Sequence, residues 1–254
     1  MWNAGKVRVN QGWQFIGDLR RAVPLGHRGR PEIADRPCAS GCVACQSGCP
    51  TNAIALDAHG IERIDLGRCV FCNECAVACP EGKITFTPDP RMGAATPADL
   101  LVRPGRIAPT PVATSSALHK LFGRSLKLRQ VSAGGCNACE MELNALANVN
   151  FDLQRFGIEW VASPRHADAL VVTGPITANM AAALQLAWDA MPAPRFVVSV
   201  GACAISGGLY ADSPALDRGF LERCQPALFV PGCPPHPLTF VAAILDLLGI
   251  ETER

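Results

Sequence analysis

Beyond residue 125 the apolar positions alternate between short runs and longer stretches at helical spacing. Residues 127–131 predict a short strand, and residues 140–148 a helix that opens directly after a cysteine pair. Ala169-Leu170-Val171-Val172-Thr173-Gly174 is an apolar β run ending at a glycine turn. Residues 178–190 have helical spacing, residues 196–200 form a second β run and residues 227–230 a third. Residues 238–248 close the pattern as an amphipathic helix. Alternating β and α elements predict an open parallel sheet with sites at the carboxyl ends of its strands. Upstream, residues 88–111 are rich in Pro, Gly and Ala, with Pro88, Pro90, Pro97, Pro104, Pro109 and Pro111. Such a stretch reads as a semi-rigid connector lying over the surface, not as a core element.

No apolar run reaches the roughly 18 residues that a membrane span needs. The best candidate, residues 238–250, is too short and contains Asp246. The start, Met1-Trp2-Asn3-Ala4-Gly5-Lys6, lacks the apolar core of a secretory signal. Arg20-Arg21 is followed by Ala22-Val23-Pro24-Leu25-Gly26-His27, which cannot serve as the hydrophobic region of a twin-arginine signal. The expectation is a cytoplasmic protein. Residues 7–20 bear Trp13, Phe15 and Ile16 between polar positions. They read as an anchor for a membrane subunit or as a segment packing on this chain's own core, and the second is favoured because the stretch is short and not strongly basic.

A length of 254 residues favours two smaller domains over one large one. With 49% hydrophobic and 18% charged residues the chain lies well away from the disordered regime. A net charge of +1, with both signs mixed along the chain, argues against a nucleic-acid footprint. Thirteen cysteines then become the central fact. Close-set cysteines in a large chain without an export signal are more often metal ligands than disulfides.

Their spacing contains a repeat. Residues 38–50 read C-A-S-G-C-V-A-C-Q-S-G-C-P, and residues 69–80 read C-V-F-C-N-E-C-A-V-A-C-P. Cys42, Cys45 and Cys49 recur 30 residues later as Cys72, Cys75 and Cys79, and Cys38 recurs 31 residues later as Cys69. The first copy therefore has one extra residue after its first cysteine. Both copies continue Pro-x-x-x-Ile, at Pro50–Ile54 and Pro80–Ile84, and a duplicated unit implies pseudo-twofold symmetry. The second copy is the bacterial ferredoxin run C-x2-C-x2-C-x3-C-P, whose fourth cysteine ligates the other cluster. By that logic Cys38, Cys42 and Cys45 with Cys79 hold one [4Fe–4S] cluster, and Cys69, Cys72 and Cys75 with Cys49 hold the other. Thiolates suit zinc as well, but zinc ribbons use two separated pairs, not two runs of four ending in Cys-Pro.

Four more cysteines fall on the loops after the predicted strands: Cys136 and Cys139 in G-G-C-N-A-C-E, Cys203 in G-A-C, and Cys233 in P-G-C-P-P. Three loops from one sheet edge would converge, and four thiolates there form a third [4Fe–4S] site. Gly134, Gly135, Gly201 and Gly232 would let backbone approach that cluster closely. Taken singly, Cys203 and Cys233 would read as buried small hydrophobes. Cys224 is left over and is expected to pack as a small apolar residue on a helix.

The segment L-F-G-R-S-L-K-L-R-Q-V-S-A-G-G-C-N-A-C-E-M-E-L-N-A-L, with R-F-G-I-E-W-V-A-S-P-R-H-A-D-A-L-V-V-T-G-P-I-T and V-P-G-C-P-P-H-P, resembles the small subunit of membrane-bound, energy-converting [NiFe] hydrogenases. It is similar, a step further away, to the 20-kDa B subunit of respiratory complex I. The resemblance covers roughly residues 118–250. Residues 37–88 resemble the separate two-cluster ferredoxin subunit of those complexes, so the chain looks like a fusion of neighbouring subunits. The resemblance implies that Cys136, Cys139, Cys203 and Cys233 hold the cluster nearest a catalytic large subunit. Cys136-x-x-Cys139 follows the hydrogenase form, whereas complex I relatives place two cysteines adjacent. Glu142 matches an acidic position that the family places beside the cluster; a carboxylate there could relay protons or stand as a helix N-terminal charge. His236-Pro237-Leu238 departs from the Arg, Pro and Glu usual in complex I relatives, so quinone-site detail does not transfer.

The expected organisation is an N-terminal extension (1–36), an α+β two-cluster ferredoxin domain (37–88), a Pro-rich linker (89–117) and an α/β open parallel-sheet, flavodoxin-like domain (118–254). The expected role is a wire of three [4Fe–4S] clusters serving a catalytic large subunit and membrane-arm subunits, with formate dehydrogenase as one conceivable donor, at the cytoplasmic face of the inner membrane. The chain has no R-x-C-x-x-C and D-P-C-x-x-C pair for nickel and iron, so the bond-making chemistry belongs to another polypeptide. The alternatives are a complex I-like quinone oxidoreductase subunit, a free-standing ferredoxin-type carrier and a zinc-bearing scaffold.

Overall fold

The structure, a computed structural model, describes residues 2–106 and 111–251. Met1 and the connector's Pro109 lie outside them. The N-terminal half begins with helix α1 (Trp2–Gln11) and strand β1 (Pro31–Ile33). Helix α2 (Ala44–Ser47), strands β2 (Ile54–Asp57) and β3 (Gly60–Asp65), helix α3 (Glu74–Ala78) and strand β4 (Ile84–Phe86) follow. Strand β1 pairs antiparallel with β4, joining Pro31 to Phe86 and Ile33 to Ile84. Residues assigned by sequence to an N-terminal extension thus supply a strand to the cysteine-rich half. Strand β2 pairs antiparallel with β3, and β3 with β5 (Leu101–Val102).

The C-terminal half contains α4 (Ser116–Phe122), β6 (Leu126–Ser132), α5 (Ala138–Ala145), β7 (Ile158–Trp160), β8 (Ala169–Thr173) and α6 (Ala178–Asp189). After these come β9 (Phe196–Val200), α7 (Ala202–Ser206), α8 (Gly219–Arg223), β10 (Leu228–Val230) and α9 (Pro237–Leu248). Its five strands are all parallel, in the order β10-β9-β8-β6-β7. The expected parallel sheet is present, with boundaries within a few residues of those the periodicity indicates. Strand β7 is too short to leave a periodic signal. Successive side chains on a strand point to opposite faces. Ala169 and Val171 accordingly enter one core with Leu143, Leu146 and α9, while Leu170 and Val172 enter another with Leu184 and Phe220.

Two sequence expectations need correction. The connector does not simply lie over the surface: Met92, Ala94, Leu100, Val102 and Val112 are all buried. Ala94 and Phe229 exchange backbone hydrogen bonds of 2.9 and 2.8 Å, so the connector covers the exposed edge of β10. Helix α9, expected to be amphipathic, is buried along every residue except Asp246. Its outward side is taken up by this chain itself. Gly93 lies so close to Ala243 that an added Cβ would come within 2.3 Å of that residue's Cβ. Asp246 pairs with Arg20 at 3.1 Å; burial raises its carboxyl pKa while Arg20 opposes the rise. The N-terminal segment divides accordingly. Leu19 is fully buried and Ile16 packs on the same core, in line with self-packing, whereas Val9 and Trp13 stand exposed.

Candidate iron–sulfur sites

In the first half the two repeats place equivalent groups around two sites. Helices α2 and α3 carry the buried Cys45 and Cys75. The backbone N–H of Ala53 donates to Cys49 Sγ at 3.3 Å, and that of Lys83 to Cys79 Sγ at the same distance. Phe71 N–H donates to Cys69 Sγ at 3.4 Å. Burial pushes the Cys45 thiol up, and the charges of Cys79 and Cys38 push it further. The Cys69 thiol is pushed up to about 12, first by burial and then by Cys75, Cys49 and Cys72, against the Phe71 amide. Cys75 rises to about 11, through burial and then Cys49 and Cys72. Cys79 and Cys38 thus act on Cys45, while Cys49 and Cys72 act on both Cys69 and Cys75; Cys45 also raises Cys75, as the smallest of its influences, so the two sites adjoin. A pocket is lined by Cys49, Cys69, Cys72 and Cys75, with Ile54, Ile64 and Phe86 among its apolar walls.

The second half brings the other four cysteines together at the carboxyl ends of its strands. Cys136 lies on the loop after β6, and Cys139 on the first turn of α5. Cys203 lies on the first turn of α7 after β9, and Cys233 on the loop after β10. Burial pushes Cys139 up to about 12, with further upward contributions from Glu140, Cys203, Cys233 and Cys136. Cys203 is pushed up to about 11 by burial, then by Cys233 and Cys136, with Arg218 opposing. Burial and then Cys136 raise Cys233.

These sites suit a cationic metal–sulfur core. Burial and mutual repulsion both disfavour gathered thiolates, and a bound cation reverses that balance. The pocket lined by Cys49, Cys69, Cys72 and Cys75 offers four soft sulfur donors, which suit an iron–sulfur group. Gly201 adds a steric requirement. At φ +87° and ψ 153° it caps α7, and a Cβ there would stand 2.7 Å from Cys139 Sγ. A Cβ on the other glycines expected near the third set would meet Gly174 at Gly135, Thr177 at Gly134 and Pro235 at Gly232. Gly201→Ala is expected to cost about 1–3 kcal/mol in backbone strain alone. It should also lower the iron bound by the third set. Denaturant unfolding and iron per chain test this, and a variant as stable and as loaded as the parent would refute it.

Several residues around the third set escape sequence reasoning. The Arg218 guanidinium donates to the carbonyls of Pro175, Cys203, Ala204 and Ile205 at 2.8–3.2 Å, tying the end of α7 to neighbouring loops. Glu140 is buried, and Thr173 Oγ1 donates to its Oε1 at 2.6 Å. Glu142, singled out from sequence, is partly buried, and burial raises its carboxyl pKa. His236 caps α9 by accepting from the Leu238 N–H at 3.1 Å. Burial and then His27 lower its pKa to about 4, so it is neutral at pH 7. Cys224 packs at the edge of the core beside Leu221 and joins none of the three sets.

Residues 37–83 match the family described as 4Fe-4S dicluster domain, which makes this segment an iron–sulfur unit. Residues 136–247 match the family described as NADH ubiquinone oxidoreductase, 20 Kd subunit, and the chain belongs to that family. A protein of Pyrococcus furiosus described as a probable membrane-bound hydrogenase subunit is 41% identical over 138 residues, covering 54% of this chain and 80% of the relative. Formate hydrogenlyase subunit 7 of Escherichia coli is 37% identical over 139 residues, covering 55% of this chain and about half, 54%, of that protein. Among solved structures, a chain of the archaeal membrane-bound sulfane sulfur reductase is similar at 27% identity and a TM-score of 0.44, over 54% of this chain and 75% of its own.

Proposed function

We infer that this chain is the electron-transfer subunit of a hydrogenase-type oxidoreductase complex, carrying three [4Fe–4S] clusters between a redox donor and a catalytic large subunit. The observation that carries this reading is the gathering of Cys38, Cys45 and Cys79, of Cys49, Cys69, Cys72 and Cys75, and of Cys136, Cys139, Cys203 and Cys233, with the spacing of the repeat supporting Cys42 as the remaining member. Cys38, Cys42, Cys45 and Cys79 are the proposed first set, Cys49, Cys69, Cys72 and Cys75 the second, and Cys136, Cys139, Cys203 and Cys233 the third. Each cluster, when bound, takes up and passes on single electrons. The chain supplies thiolates, backbone N–H groups aimed at sulfur, and apolar walls that limit water. The strand order 2-1-3-4-5 within the second half supports a flavodoxin-like arrangement, with Cys136 and Cys139 beside the point where that order reverses.

The packing between halves supports an order for the relay. A Cβ on Gly67 would stand 2.8 Å from Ile205 Cγ2, which brings the loop leading to Cys69 against helix α7, the helix that carries Cys203. The second set is then the middle station and the first set the outer one. Domain boundaries follow: residues 31–102 form the ferredoxin unit, with the connector's strand as part of it, and residues 111–251 the parallel-sheet unit.

Exposure supports a subunit over a free carrier. Cys136 and Cys233 are exposed, as are Met141, Leu209 and Tyr210 close to Cys139 and Cys203 in the chain. A relay site must lie close to its partner, so this end is proposed to be covered by the large subunit, with Glu142 at that boundary as a candidate proton relay. No helix among the described residues is long and apolar enough to cross a membrane. Attachment to a membrane arm, and a place on the cytoplasmic face, would therefore come through partner subunits.

The test is anaerobic reconstitution of the full chain with and without its large subunit. About twelve irons per chain are expected, with the third set losing iron first in the isolated chain and protected from chelator in the complex. Zinc in place of iron would refute the cluster reading. A third set equally robust in the isolated chain, together with free shuttling between soluble partners, would favour the carrier.

A further inference from the structure

The internal repeat pairs Ala53 with Lys83, a position that is buried in both copies but occupied by chemically different residues. Ala53 and Lys83 each stand four residues after the last cysteine of their run, and their backbone N–H groups make the same 3.3 Å contact to that sulfur. Ala53 contributes only a methyl group to the apolar core. Lys83 is equally buried, at 2% exposure, but its Nζ donates to Cys38 Sγ at 3.4 Å. Among the described residues no carboxylate pairs with this amine within 4.0 Å. Cys69, the counterpart of Cys38, has instead the backbone N–H of Phe71 at its sulfur.

The contact depends on where Cys38 sits. Its backbone N–H donates to His59 O at 3.2 Å, and its sulfur fills the space left by Gly60, where a Cβ would come within 2.5 Å. The extra residue between Cys38 and Cys42 gives this copy a longer loop by which to reach that turn. The sulfur is thereby held beside Lys83.

A buried amine needs a polar partner to offset its lost hydration, and the Cys38 sulfur is the partner within reach. An electron added to a group held by that thiolate makes the site more negative, and a nearby cation in a poorly solvated setting favours the addition. The Ala53 side offers no such charge. We propose that Lys83 is a positioning residue that holds Cys38 and makes the first cysteine set the more easily reduced of the two ferredoxin-half sites. An electron entering this half then rests at the outer station, beside a groove lined by Asp35, Arg36, His59, Glu62, Lys83 and Arg103.

The inference rests on the three-cluster reading, and the experiment separates the two. The reconstituted full chain is titrated with dithionite, the one-electron reductant, while the clusters are followed by electron paramagnetic resonance. Cys42→Ser identifies which signal belongs to the first set. In the parent that signal should appear at the higher potential of the ferredoxin pair. Lys83→Ala, which copies the other repeat, and Lys83→Met, which keeps the aliphatic stem, should move it down toward its partner with iron content unchanged. Lys83→Arg should retain most of the separation. Should Lys83→Ala lose iron, Lys83→Met carries the measurement; loss of the first-set iron in both, with retention in Lys83→Arg, would still support the hold on Cys38. A loaded first set whose potential is the same in parent, Lys83→Ala and Lys83→Met would overturn the role of Lys83 alone. A parent chain that never loads the first set would overturn the ligand assignment, and this inference with it.

Discussion

Cys139→Ser, introduced in the chain bound to its large subunit, is expected to retain about eight of about twelve irons and to lose electron delivery to that subunit. The expectation follows from how the thiol is held. Cys139 is the thiol of its set pushed highest, up to about 12, by burial and then by Glu140, so only a strongly bound cation keeps it ionised. Serine replaces a soft thiolate by a hydroxyl that is harder to ionise and a poorer ligand for iron–sulfur cores. Close packing against Gly201 leaves little room for another donor to replace it. The twelve-cysteine assignment leaves the two ferredoxin sets intact, because they share no ligand with the third set. Iron analysis, paramagnetic resonance and electron transfer to the partner check the three parts separately. Retention of all the iron, or loss from the ferredoxin half, would show the third set to be wrongly drawn.

Cys49→Ser should remove the second set, although Cys49 lies within the first repeat. The cavity that Cys49 lines is shared with Cys69, Cys72 and Cys75, and its charge acts on both Cys69 and Cys75. Single substitutions at Cys49 and at Cys42 would each lose about four irons, so totals alone do not identify the site. Double substitutions do. Cys49→Ser combined with Cys69→Ser should lose no more than either alone, because both act on one site. Cys49→Ser combined with Cys42→Ser should lose about eight irons, because those effects are independent. The reverse pattern would mean that each repeat ligates its own cluster.

Sequence alone determined the chemistry of the chain and much of its architecture. Ligand spacing is a local property, so the runs from Cys38 to Cys49 and from Cys69 to Cys79 announced themselves, and the Cys-Pro endings are the basis of the crossed pairing proposed above. Strands buried on both faces read as continuous apolar runs, which made β8 and β9 legible along with the parallel sheet. The tertiary structure decided what depends on distant parts of the chain. Helix α9 loses its polar face only because the connector and the N-terminal segment fold over it, and strand β1 exists only because β4 pairs with it. Lys83 meets Cys38 across 45 positions, and Glu140 meets Thr173 across 33. No periodicity records such meetings, because a buried charge is specified by the partner that folding delivers, not by its neighbours in sequence.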